Sequence, residues 1–127
     1  MRRFVDTNYL LRYMLADNDK MHKVATNIIQ TEQAATRPES ILECIYVLQM
    51  VYGLERKEIA SALETLLEEV AVAESDVIRD ALSIYGSSSL DYVDCIYIAI
   101  SKKSGQRVLS FDKKMNNMMD RIGIPKS

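Results

Sequence analysis

"RRFVDTNYLLRYM" occupies residues 2–14. Two apolar residues, Phe4 and Val5, run directly into Asp6; Thr7 and Asn8 follow, and then Leu10, Leu11, Met14 and Leu15 recur at helical spacing. The stretch predicts a short buried strand over 2–5 and a helix over 8–15, with a carboxylate at the junction between them.

The same strand-then-helix rhythm repeats along the chain. Residues 20–31 predict a more polar helix, with Val24, Ala25 and Ile28 on one side, and "AATR" at 34–37 a weak strand. Pro38 suits the first turn of a helix, which "ESILECIYVLQMVYG" continues over 39–52 until Gly53 stops it. "RKEIASALETLLEE" is an amphipathic helix, "VAV" at 70–72 a strand, and "SDVIRDALSIYG" a helix ending at Gly86. A helix over 92–104 precedes Gly105, "RVLSF" at 107–111 reads as a strand, and Asp112 follows at once. A helical turn near 113–119 and a last strand near 122–124 close the pattern. Strands that alternate with helices predict an α/β fold, a parallel sheet covered by helices on both faces. Ligands of such sheets bind beyond the carboxyl ends of the strands, where Asp6 and Asp112 both fall.

Bulk properties restrict the function classes. The chain has 127 residues, suited to one domain over 1–127, and is 48% hydrophobic and 27% charged. Its net charge of −2 shows no global basic character. No stretch approaches the ~18 apolar residues of a membrane span, and Asp6 comes too early for a signal peptide. Cys44 and Cys95 sit in apolar helical runs with no C-x-x-C pattern, so they read as buried free thiols suited to a reducing cytoplasm. The single histidine, His22, lies in the polar helix and reads as a surface residue.

Four acids stand out. The 39–52 helix is apolar almost all round and therefore expected to be largely buried, yet Glu43 interrupts it. Asp94 leads the apolar run "CIYIAI". Each acid has a local explanation. Asp6 can cap the helix that follows it, and Asp112 can begin a turn. Asp91 can cap the 92–104 helix with Asp94 in its first turn. Glu43 can lie on a solvent stripe or pair with Arg37 or Arg12. All four, however, can also converge at one edge of the sheet. Clustered carboxylates repel one another, and divalent cations relieve that repulsion. Mg²⁺ favours oxygen donors and takes only one or two carboxylates directly. A metal pair ~3.5–4 Å apart can clamp both oxygens of a phosphodiester displacement. The absence of a Cys/His set argues against zinc.

"FVDTNYLLRYM", "ILECIYVL", "LDYVDCIYIAI" and "VLSFDKKM" resemble, in order and spacing, the four acidic motifs of PIN-domain ribonucleases, most closely those of VapC-type toxins. The resemblance runs from residue 4 to about 115. It implies a three-layer α/β/α fold with a parallel sheet of about five strands, and an acidic site at Asp6, Glu43, Asp94 and Asp112. Asn8, Asp91 and Ser110 match supporting positions. It further implies Mg²⁺- or Mn²⁺-dependent endonucleolytic cleavage of RNA, a homodimer, and a cognate antitoxin whose tail lies across the site. Cys95 stands where many relatives have alanine, and residues 54–75 match poorly.

On that reading Arg12, Arg37, Lys113 and Lys114 are candidate RNA contacts by their nearness to the acidic motifs, whereas "SKKSG" at 101–105 reads as cations favoured at a helix C-terminus. The helices at 39–52 and 56–67 are expected to supply apolar surface for a dimer or an antitoxin groove. A phosphoacceptor receiver domain would want an acidic pair near the first strand, and a HAD-type phosphatase D-x-D where this chain has "DTN". A non-catalytic RNA-binding relative is the third rival.

Overall fold

The computed structural model describes residues 2–126. Ten elements follow one another: β1 (Arg3–Phe4), α1 (Thr7–Leu15), α2 (Asp19–Thr31), β2 (Ala34–Thr36), α3 (Pro38–Met50), α4 (Arg56–Leu66), β3 (Ala71–Val72), α5 (Ser75–Ser87), α6 (Tyr92–Ser104) and α7 (Lys113–Ile122). The strands form a parallel sheet in the order β1-β2-β3, the middle layer of a three-layer α/β/α arrangement. Register pairs Arg3 with Ala34 and Phe4 with Ala35, then Ala35 with Ala71 and Thr36 with Val72. The central strand β2 is buried throughout, and its Thr36 hydroxyl donates to the Val5 carbonyl at 2.9 Å. That bond satisfies a polar group which would otherwise be costly inside the core.

The helices start and stop where local chemistry dictates. Asp6 and Asn18 cap α1 and α2, accepting from the backbone N–H of Tyr9 and Met21. Pro38 occupies the first turn of α3, where its missing N–H costs nothing. Gly105 and Gly123 end α6 and α7 in the left-handed region, at φ 73° and 90°. Apolar faces of all seven helices and the sheet join one core, in which Leu10, Ile41, Leu63, Leu82, Ile98 and Met119 are fully buried. Cys44 and Cys95 are buried free thiols, and burial pushes them up to about 12 and about 11.

Several sequence expectations need correction. The sheet has three hydrogen-bonded strands among the described residues, not about five. Residues 107–111 form no strand, and Leu109 and Phe111 are 95% and 108% exposed. One of its carbonyls, Ser110 O, accepts from Asn116 Nδ2 at 3.0 Å instead, and just before the segment Gln106 O accepts from Ser101 Oγ at 2.6 Å. Arg107 fastens the segment to α7 and its far end through the carbonyls of Asn116 and Ile124 and the Asp120 carboxylate. Residues 122–124 form no strand either, because α7 runs on to Ile122 and Ile124 N–H folds back to the Met119 carbonyl at 3.0 Å.

Helix α3 is buried on one side only. Leu42, Tyr46 and Met50, four residues apart, form an exposed stripe on the other. The apolar face of α4, expected to be partly free, is core: Ile59, Ala60, Leu63 and Leu66 are all buried. His22 is half-buried rather than a surface residue. Its Nδ1 meets the Arg12 carbonyl at 2.9 Å, and its ring stacks on Tyr13.

Gly86 does not stop α5, which continues to Ser87. It lies where α5 crosses α4, and a Cβ there would stand 3.0 Å from the Ala60 Cβ. Gly86→Val should therefore overpack this crossing and destabilise the fold by about 1–3 kcal/mol. Thermal unfolding would register this as a drop of several degrees, and an unchanged midpoint would show the crossing to be looser than its geometry.

Candidate active site

Asp6 stands two residues beyond β1, at the carboxyl end of the sheet. Its Oδ1 accepts from Tyr9 N–H at 3.1 Å, so the local capping role is real. The cap engages one oxygen; among the described residues no hydrogen bond engages Oδ2. Thr7 opens α1, and its hydroxyl donates to Glu43 Oε1 at 2.8 Å. This bond draws Glu43, on the exposed side of α3, to the residue beside Asp6. Sequence reasoning missed Thr7, whose partner is 36 residues away. The only local sign was a hydroxyl immediately after the first acid. Asn8, next in line, borders a cleft between α1 and α2 of about 360 Å³, together with Tyr9, Arg12 and Met21.

The second group of acids gathers where α6 and α7 begin. Asp91 holds the N-cap position of α6, but its side chain makes no capping hydrogen bond. Asp94 lies in the first turn and is half-buried. Burial pushes its carboxyl above the ordinary aspartate range, and the charges of Asp112 and Asp91 push it the same way. Asp112 caps α7 through Oδ1, which accepts from Met115 N–H at 3.0 Å. Its own N–H donates to Ser110 Oγ at 2.9 Å, so Ser110 fixes the backbone that carries the acid.

Thr7, beside Asp6, thus holds Glu43, while Asp94 feels the charges of Asp112 and Asp91. Helix α3, which carries Glu43, packs on α6, which carries Asp94. Among the described residues no three carboxylate, histidine or cysteine side chains stand at metal-holding separation. The donor chemistry still fits a hard divalent cation. The groups are oxygen donors without His or Cys, and Asp94, raised by burial and then by the charges of Asp112 and Asp91, is a carboxylate that a nearby cation would favour. One or two direct carboxylates, completed by water, is the coordination Mg²⁺ usually takes.

The candidate cations differ in availability. Arg12 is largely committed: it pairs with Asp17 at 2.9 Å, and its Nε is buried without a hydrogen-bond partner. Tyr52 completes that cluster, and its hydrogen bond, followed by Arg12, holds the Asp17 carboxyl below its usual range. Arg37 is exposed and meets only Glu39, at 3.4 Å. Lys113 and Lys114 are exposed and make no ion pair among the described residues. Lys102 and Lys103 pair with Asp80 and Asp76 of α5, at 3.9 and 2.8 Å.

The fold is an α/β one with a parallel sheet, Asp6 just past β1, and Asp91, Asp94 and Asp112 where α6 and α7 begin. The PIN domain family model matches residues 3–120, and the chain belongs to that family. It is also similar to a VapC ribonuclease of Aquifex aeolicus (strain VF5), at 25% identity over 123 residues that cover 91% of each chain. No solved structure matches. Among the described residues, no helix is long and apolar enough to cross a membrane.

Proposed function

We propose that this protein is a metal-dependent endoribonuclease, the toxin of a toxin–antitoxin pair, which hydrolyses RNA phosphodiesters by attack of water. The observation that carries the reading is the gathering of Asp91, Asp94 and Asp112 where α6 and α7 begin, in a member of the PIN family; burial first, then the charges of Asp112 and Asp91, push the Asp94 carboxyl up. The likeness to a protein named VapC ribonuclease supports the same substrate and the same kind of antitoxin partner.

Asp6, Asp94 and Asp112 would hold Mg²⁺ or Mn²⁺, directly or through water, with Glu43 completing the shell or receiving a proton. Once bound, the cation supplies positive charge against the scissile phosphate and makes water easier to deprotonate. The chain's own groups do the rest. Thr7 ties down Glu43 Oε1, which leaves Oε2 to take a proton from the attacking water. Ser110 and the cap at Met115 hold Asp112 in place. Arg37, Lys113 and Lys114 meet flanking phosphates, and Arg12 keeps the end of α1 in position. A new bond forms from the water oxygen to phosphorus, the bond to the 3′ oxygen breaks, and that oxygen leaves protonated. The products carry 5′-phosphate and 3′-hydroxyl ends.

Purified protein incubated with single-stranded RNA and Mg²⁺ or Mn²⁺ should yield internal cuts with those ends. A receiver-like protein would take phosphate from a small donor and cut nothing. Fragments ending in 2′,3′-cyclic phosphate would overturn the water mechanism, since they require attack by the ribose 2′-hydroxyl.

The reading includes a homodimer. Leu42, Tyr46 and Met50 form an exposed stripe on α3, and Val93, Tyr97 and Ile100 form another on α6, the helix that α3 packs against. Contiguous exposed apolar surface of this kind marks an interaction site. Light scattering should give twice the 14.5 kDa chain mass, and Tyr46→Glu with Met50→Glu should halve it. A wild-type monomer across micromolar concentrations would refute the dimer.

A further inference from the structure

A second polar pocket, of about 330 Å³, opens between the α5–α6 loop and one face of α7. Lys114, Asn117, Met118 and Arg121 line it at spacings of three, one and three residues, so they share one face of α7. Opposite them lies the loop that carries Ser88 and Ser89. No carboxylate lines the pocket. Lys114 and Arg121 make no ion pair among the described residues, although the chain as a whole is acidic. The Ser88 hydroxyl is committed to the Ile84 carbonyl at 2.6 Å, whereas Ser89 and Asn117 have uncommitted donors.

The loop is held firmly. Arg56 lies over the Tyr85 ring at 3.8 Å, donates to the Tyr85 carbonyl at 2.8 Å, and also donates to the Leu90 carbonyl. Both walls lead into the acidic centre. Leu90 immediately precedes Asp91, and Lys114 stands two residues after Asp112. A strand whose scissile phosphate lies near Asp94 and Asp112 therefore meets this basic pocket as it leaves them.

We infer that the pocket between the α5–α6 loop and α7 is a phosphate subsite for the RNA backbone next to the cut bond, with Lys114 and Arg121 as its cations and Asn117 and Ser89 as its neutral donors. The inference rests on the endoribonuclease reading above. Phosphate contacts of this type position the strand without reading its sequence. They also make binding salt-dependent, with a slope of about 0.7 per contact for single strands.

The test measures binding of a labelled single-stranded oligoribonucleotide across a salt series, with Mg²⁺ constant, in the Asp6→Asn background. Lys114→Ala with Arg121→Ala should weaken affinity on the order of tenfold and flatten the log–log salt slope by about 1.4, the loss of two contacts. Lys102→Ala with Lys103→Ala removes the same charge from the far end of α6 and should leave the slope near that of the parent. Both pairs are exposed, so folding is not at issue, and thermal unfolding would verify it. Equal behaviour of the two double variants would overturn the subsite while leaving the nuclease reading standing. If the Asp6→Asn protein binds no RNA and the wild type cuts none, the nuclease reading and the subsite fall together.

Discussion

Asp6→Asn should lower RNA cleavage by about a thousandfold or more while the protein unfolds at nearly its original temperature. The two halves of that expectation come from different atoms of one side chain. Oδ1 caps α1 by accepting from Tyr9 N–H at 3.1 Å, and an asparagine amide oxygen accepts that bond equally well. Stability should therefore change by no more than about 0.5 kcal/mol. The negative charge next to Thr7, which holds Glu43, is what the substitution removes. If that charge helps hold the cation, several kcal/mol of transition-state stabilisation go with it, at ~1.4 kcal/mol per tenfold in rate. Asp6→Ala would be a poorer test, because it also deletes the cap at about 1 kcal/mol and mixes folding with chemistry. Asp112→Asn repeats the logic, since Asp112 caps α7 through Oδ1 in the same way. Retained cleavage in a preparation free of contaminating nuclease would show that Asp6 is a helix cap and nothing more.

That both acids are genuine caps shows how much the sequence disclosed. The junction Phe4-Val5-Asp6 predicted a buried strand over 2–5, an acid and a helix; the acid and the helix are present, but the strand is only Arg3–Phe4 and is exposed, with Phe4 at 67%, and only Val5 just beyond it enters the core. Pro38 and Gly105 marked helix ends correctly, because these are local effects of one residue on its own backbone, while Asp112, read as able to begin a turn, caps α7. Strand positions were legible where a strand is buried, as in β2. The short apolar run "RVLSF" misled, because such a run suggests a strand but not whether a partner edge is available. Here the segment is held by side-chain bonds to backbone carbonyls instead, Arg107 to Ile124 O 17 residues on and Asn116 to Ser110 O.

The same limit explains α3 and the site. An all-round apolar helix is expected to be buried, but Tyr46 and Met50 are 66% and 65% exposed. Sequence composition cannot distinguish a core from a surface awaiting a partner. The four acids were legible as a set through their order and spacing. The contacts around them were not, because Thr7 reaches Glu43 across 36 residues, and Asp94 is raised first by burial and then by Asp112 at the head of another helix. Arg56 passed as one polar residue of an amphipathic helix, although it anchors the turn that leads to Asp91.

Removing divalent cations should have an effect as large as removing Asp6, and it should be reversible. Excess EDTA is expected to bring cleavage to background, and Mg²⁺ or Mn²⁺ added beyond the chelator to restore it. The ground lies in the carboxylates themselves. Asp94 is half-buried and raised by burial, by Asp112 and by Asp91, so the centre is electrostatically unfavourable for an approaching phosphate unless positive charge offsets it. Lys113 and Lys114 lie nearby but are exposed, where solvent and salt screen them and leave them too weak to do this alone. A cation should also stabilise the fold in proportion to its concentration over its dissociation constant, by about 2.7 kcal/mol at a hundredfold excess. Thermal unfolding with and without Mg²⁺ thus reads binding independently of catalysis. Asp94→Asn should shrink the shift, whereas Asp76→Asn, on the ion pair with Lys103, should preserve it. Cleavage that persists in EDTA, with no thermal shift on adding Mg²⁺ or Mn²⁺, would mean that the acids act without a metal and that the proposed chemistry is wrong.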